Sequence, residues 1–381
     1  MKEMNNMTQI TYNDIRPTIP KSTIRSLYKT INENVSRASG YGSYYGKFSS
    51  VLKNLDRMKL NNLPTNDVLP GYTFITRPKL NLTTTAIRHN RVLSMLDTDN
   101  PDSIQFMIRC LLDTTYAKRS DIIDKVIRSP FLNHNSPFLT PLCNSLVASG
   151  GWPTPVLEVE TTPSGFYGED MTYAGGTDKL SKTYDLDLTF REMPGGIVMS
   201  LLHTWFLCMD LLASGYLTPY PKYIYEGKMC YDVSIYRFIL DPSRRSIMAW
   251  ARATGCFPKS IPIGAIFDEN ESEFYVSSMQ KYSVPFVANK VEYNDPILLL
   301  EFNMLMERYF PRLRNVKGDL GLMNVRDRGN TNYIGLPYID LEGGNNEINF
   351  YATEAELYDP SADILNGLIN NIREAEKLTG D

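Results

Sequence analysis

The side chains able to do chemistry in this chain of 381 residues are few and scattered. Its three histidines, His89, His134 and His203, are too widely spread for a zinc site, and His203 falls in an apolar run where a core histidine is expected. Asp97-Thr98-Asp99-Asn100-Pro101-Asp102 opens like a calcium loop. Pro101 and Asp102 then stand where a ligand and the sharp-turn glycine belong, so the segment reads as a turn leading into a helix. Glycoside cleavage needs two carboxylates flanking one bond, and Glu158, Glu160, Glu169, Asp170 and Glu192 are available for it. Only the fold could bring such a pair together. No His-Glu-x-x-His, Gly-x-Ser-x-Gly or Gly-x-x-x-x-Gly-Lys-Ser/Thr occurs. The expectation is a non-enzymatic protein with no catalytic residue, metal or cofactor.

Five cysteines, Cys110, Cys143, Cys208, Cys230 and Cys256, are odd in number and contain no Cys-x-x-Cys. They read as small buried hydrophobes made in a reducing compartment. Net charge is −4, with basic residues dispersed apart from Arg244-Arg245 and Arg308, Arg312 and Arg314. Tight nucleic-acid binding, which needs clustered cations, is disfavoured. The start, Met1-Lys2-Glu3-Met4-Asn5-Asn6, lacks the apolar run of a signal peptide. The most apolar stretch, 197–213, is short for a bilayer span and carries His203 and Asp210, which predicts a buried helix and no membrane partner. The 24 Tyr against 3 Trp suit either half-buried strands or contact surfaces.

The elements that must position these residues follow from periodicity. Residues 1–70 are polar, with a Gly40–Gly46 loop signal and a short helix near Ile19–Ile31, and read as a flexible arm. Gly71–Thr76 alternates as a strand. Ile104, Met107, Ile108, Leu111 and Leu112 build one helical face after Asp102 and Ser103, a helical insertion near 100–135 running to about Arg128. Pro155–Glu160 reads as a strand. Thr183–Arg191 alternates without a miss: Tyr184, Leu186, Leu188 and Phe190 on one face, Asp185, Asp187, Thr189 and Arg191 on the other. The helix with Trp205 follows.

A second strand spans Lys228–Leu240, and its apolar phase moves by one residue after Ile235, as a β-bulge would produce. Asp241–Arg245 is a turn to a hairpin partner at Ser246–Phe257. Further strands are expected at Glu273–Ser278 and Ile297–Asn303, with Tyr282–Phe286 between them. After residue 310 comes a C-terminal decoration, 311–381, ending in a helix near Pro360–Leu378. The fold class predicted for 71–310 is α+β: a two-sheet β-sandwich with one flanking helix, carrying helical or irregular extensions.

The stretch 151–302 resembles the tail tube proteins of contractile-tailed bacteriophages and related injection systems. The resemblance rests on Lys182–Phe190, the helix with Trp205, Tyr220-Pro221-Lys222-Tyr223, Ala253–Ile261 with its Phe257-Pro258 step, and the strand from Tyr282 onward. It implies a two-sheet fold forming rings, usually hexameric, whose inner sheets close into a β-barrel channel for DNA. It also implies the chain itself, sheath or baseplate proteins and passing DNA as partners, and a place in the virion tail after synthesis in the host cytoplasm. Within this class a baseplate tube-initiator or a tail terminator ring is the alternative, and from another class a virion-borne cell-wall hydrolase. On this reading Asp185, Asp187 and Thr189 face a polar, acidic lumen, while Tyr184, Leu186, Leu188, Phe190 and Trp205 form the core. Such a lumen would let a phosphate backbone slide. Simple exposure of that face to bulk water accounts for it equally well.

Overall fold

The unbroken alternation of Tyr184–Arg191 becomes a strand at the middle of the molecule, with Leu186, Leu188 and Phe190 wholly buried. The computed structural model describes residues 26, 28–31, 71–80, 82–98, 100, 103–119, 121–122, 132, 134–177, 183–193, 195–217, 225, 230–240, 246–266, 281–315, 321–324, 336–341 and 346–353. Its strands are β1 (Gly71–Ile75), β2 (Leu146–Gly150), β3 (Leu157–Thr161), β4 (Thr172–Thr177), β5 (Tyr184–Arg191), β6 (Val233–Leu240), β7 (Ile247–Pro258), β8 (Lys281–Ala288), β9 (Lys290–Tyr293), β10 (Leu322–Asn324), β11 (Leu336–Asp340) and β12 (Glu347–Thr353). Its α-helices are α1 (Thr84–His89), α2 (Ile104–Leu112), α3 (Thr114–Ala117), α4 (Thr140–Ser145), α5 (Ile197–Ala213) and α6 (Pro296–Tyr309).

The fold is mixed α+β, built on an antiparallel seven-stranded sheet in the order β1-β6-β7-β8-β5-β2, with β9 also on β7. The long β7 pairs with β6 through most of its length, then passes to β8 at Phe257 and Pro258. Smaller sheets are β10-β12-β11 and β3-β4. The expected two-sheet sandwich is therefore a single continuous path through β7. Among the described residues it does not close into a barrel. Its β1 end is occupied, because Leu139 donates to the Ile75 carbonyl at 2.8 Å and Arg77 to that of Pro137 at 2.8 Å.

Among the described residues two apolar cores form. In the first, Leu186, Phe190 and Phe286 meet Leu202 and Trp205 of α5 and Phe106 of α2. In the second, Phe74, Phe238 and Trp250 meet Phe302 of α6 and Ile339 and Ile348 of the small sheet. Strand β6 serves both, Val233 and Ile235 in the first, Tyr236, Phe238 and Leu240 in the second. This corrects the bulge expected at the change of phase. Register runs unbroken from Ile235↔Ala253 to Ile239↔Ala249, and the shifts lie at Val233/Ile235 and Ile239/Leu240. The phase changes because the strand leaves one cover and enters another on its opposite face.

Residues 297–303, expected as a strand, are helical. The Asp295 side chain accepts from Ile297 N at 3.0 Å, Pro296 occupies the first turn, and Leu298, Leu299, Phe302 and Met306 bury one helical face. Helix α2 starts where expected, with the Ser103 hydroxyl accepting from Gln105 N. The helical stretch then breaks at Asp113, whose carboxylate caps α3. Of the expected helix near 19–31, residues 26 and 28–31 are helical, with Ile31 in the second core. The strand at 273–278, the turn 241–245, the Gly40–Gly46 loop and the helix near 360–378 lie outside the described residues. Among those described, no helix is long and apolar enough to cross a membrane.

Candidate functional site

The polar face of β5 meets β8 residue by residue: Asp185↔Val287, Asp187↔Pro285, Thr189↔Ser283 and Arg191↔Lys281. Asp185 and Asp187 are exposed and Thr189 is half-buried; Tyr184 is half-buried, and Leu186, Leu188, Phe190 and Trp205 are fully buried. Trp205 donates its indole N–H to the Tyr231 carbonyl at 3.0 Å. The strip is not uniformly acidic. Lys259, from just beyond β7, reaches Asp185 at 2.8 Å, and at the opposite end Arg191 and Lys281 stand directly across from one another. Sequence alternation could not find these cations as neighbours, because register between distant strands is not written locally. On the other side of β5, β2 is followed by Gly151, where φ is +75° and an added Cβ would meet the Asp185 carbonyl at 2.4 Å. The far edge of β2 pairs with no described strand.

The β3–β4 hairpin is the least expected surface. Its strands pair from Leu157↔Thr177 to Thr161↔Thr172 with a register shift at Glu158/Val159, and its tip is held by Gly165 N to Glu169 O at 2.7 Å and Tyr167 N to the Glu169 carboxylate at 2.9 Å. Yet it joins neither core. Leu157 is 53% exposed, Val159 59%, Met171 75% and Phe166 95%. A formed hairpin with apolar side chains in water is the mark of a contact surface. The sequence predicted β3 but missed β4, whose Gly175-Gly176 pair weakens any strand signal.

Two of the candidate carboxylates, Glu169 in the hairpin tip and Glu192, have other occupations. Glu192 accepts from Val198 N and Met199 N at 2.9 Å each and from the Tyr282 hydroxyl at 2.8 Å, which makes it the cap of α5. Asp97 pairs with Arg88 at 2.5 Å and Arg109 at 3.5 Å. Burial pushes the thiols of Cys110, Cys143, Cys208 and Cys256 up to about 12, where none is a nucleophile at neutral pH. Exposed Cys230 is raised to about 11 by partial burial and Asp232. Burial lowers His203, and burial with Arg77 and Lys118 lowers His134. Among the described residues no group of three or more His, Cys, Asp or Glu could hold a metal ion.

No curated protein matches the chain. Three solved structures share partial similarity. The tube-terminating cap of the anti-feeding prophage is 10% identical, with TM-score 0.25, over 39% of this chain and 79% of its own. The sheath–tube complex of an extracellular contractile injection system (PVC), extended, gives 10% identity and TM-score 0.24 over 39% and 78%. The sheath/tube terminator of the same system gives 9% and 0.23 over 39% and 85%. A family model covers residues 11–359, most of the polypeptide, and the chain belongs to the family described as "Putative phage tail tube protein".

Proposed function

We propose that the protein is a structural, non-enzymatic subunit of a phage tail tube, assembling into rings that stack around a channel for DNA. Family membership supports the class, and the exposed apolar β3–β4 hairpin carries the reading. Such a hairpin is stable only when a neighbour covers it. The edge of β2 that no described strand pairs supports the same conclusion, since unpaired edges invite another strand and ring closure removes them. Neighbouring copies thus complete the two-sheet, barrel-forming arrangement, in hexameric rings as the family resemblance implies. The strip with Asp185, Asp187 and Thr189 lines the channel. The tube-like unit is 71–310, flanked by the arm 1–70 and the decoration 311–381, and sheath or baseplate proteins meet the outer surface. Two of the carboxylates a hydrolase could draw on, Glu192 and Glu169, are engaged in capping and turn formation, which supports a structural role.

Negative-stain electron microscopy of the purified full chain tests this. Rings or tubes with a central channel are expected. A protein that stays monomeric by light scattering at every concentration, and is absent as a multimer from particles, overturns the proposal. Single closed rings that never stack would assign it to a terminator instead.

A further inference from the structure

We infer that Arg191 and Lys281 form the dock for the acidic face of a neighbouring copy's hairpin, with Glu158 and Glu160 as the docking groups. Like charges directly opposite on adjacent strands are destabilising within one chain, and register places Arg191 and Lys281 in that relation. Both are exposed, and among the described residues neither has an ion pair. Lys259 neutralises Asp185 at the far end of the strip, so the sheet does not answer this pair itself.

The complementary charges sit on the β3–β4 hairpin, which among the described residues joins neither core. Glu158 and Glu160 lie two residues apart on β3, on the face opposite Leu157 and Val159, and both are exposed. Gly175 stands beside Glu160, where a Cβ would come within 2.9 Å of the glutamate's side chain, so a larger residue would displace it. Two carboxylates about 7 Å apart face two cations about 5 Å apart. The charges cancel two for two. Docking of one copy's hairpin on the next copy's β5–β8 end is heterologous, and repetition propagates the assembly. The inference rests on the tube-subunit reading and adds the acceptor surface to it.

Charge reversal tests it in the full chain. E158K/E160K and R191E/K281E should each lose assembly by at least about tenfold in critical concentration, because attraction becomes repulsion at each contact. Each variant should keep the wild-type far-UV spectrum and melting temperature. Mixing the two variants should restore assembly, since lysine hairpins then meet glutamate docks and native hairpins meet native docks. The inference falls if either variant assembles like wild type, or if the mixture does not recover. If wild type itself never assembles, the tube-subunit reading falls instead.

Discussion

The Tyr282 hydroxyl donates a 2.8 Å hydrogen bond to the Glu192 carboxylate, and the same carboxylate takes the first free amides of α5. The helix begins at Gly196, in a left-handed conformation (φ 68°) with no side chain to cap it. Glu192, just past the end of β5, supplies the missing acceptor and places negative charge at the positive end of the helix dipole. One carboxylate therefore joins β5, β8 and α5. Burial, reinforced by Glu192, pushes the Tyr282 phenol above its ordinary range.

Removing that carboxylate should loosen all three elements. Glu192→Ala is expected to lower unfolding free energy by about 2–4 kcal/mol, the combined cost of a lost cap and an abandoned phenol. Glu192→Gln, which keeps one acceptor oxygen, should recover about half of this. Urea denaturation checks both. An alanine variant within about 0.5 kcal/mol of wild type would show the cap to be dispensable.

Asp113 gives the fold a pH dependence of unusual sign. Burial raises its carboxyl from 3.8 to about 6, against the lowering influence of Tyr116 N, Thr115 N and Arg109. A folded value above the unfolded one means the contribution is intact below pH 3.8 and lost as pH rises through about 6. Asp113→Asn keeps the Oδ1 acceptor used by Thr115 N and Tyr116 N. The wild type should therefore lose about 3 kcal/mol relative to this variant between about pH 4 and about pH 7. A constant difference across that window would refute the assignment.

Strand β5 was legible because one of its faces meets a single core throughout, so burial and period agree. Strand β6 showed its change of phase in sequence, but the cause lay far along the chain, in α6 and the small sheet. Ile297-Leu298-Leu299-Leu300 fits a buried strand or a helix equally, and periodicity cannot separate them. The Asp295-Pro296 pair held the deciding signal, a cap followed by proline in the first turn. Of the candidate lumen strip, the polar face could be read, while its cations from β8 and beyond β7 could not. The hairpin's exposure was invisible for another reason: Leu157 and Val159 alternate like core residues whether a subunit or its neighbour covers them.

Asn303 replaces a strand for one edge of the small sheet. Its Nδ2 donates to the Ile339 carbonyl at 2.7 Å and its Oδ1 accepts from Ile339 N at 3.0 Å, both buried. Asn303→Leu would leave a buried N–H and C=O without partners, costing about 2–5 kcal/mol. Asn303→Asp should also destabilise, since a carboxylate would face the Ile339 carbonyl. Thermal unfolding measures the loss, and hydrogen exchange at the Ile339 amide should accelerate. Unchanged exchange in the leucine variant would place the anchoring of β11 elsewhere.

The hairpin's apolar face separates folding from assembly. Leu157 and Val159 are more than half exposed and join neither core, so Leu157→Asp with Val159→Asp should shift unfolding free energy by no more than about 0.5 kcal/mol. Buried against a neighbour, the same aspartates would each need desolvation without a partner charge. Assembly measured by sedimentation should therefore collapse while the melting curve stays in place. A variant that melts early would mean that the hairpin packs within its own subunit. One that assembles normally would mean that no neighbour covers this face.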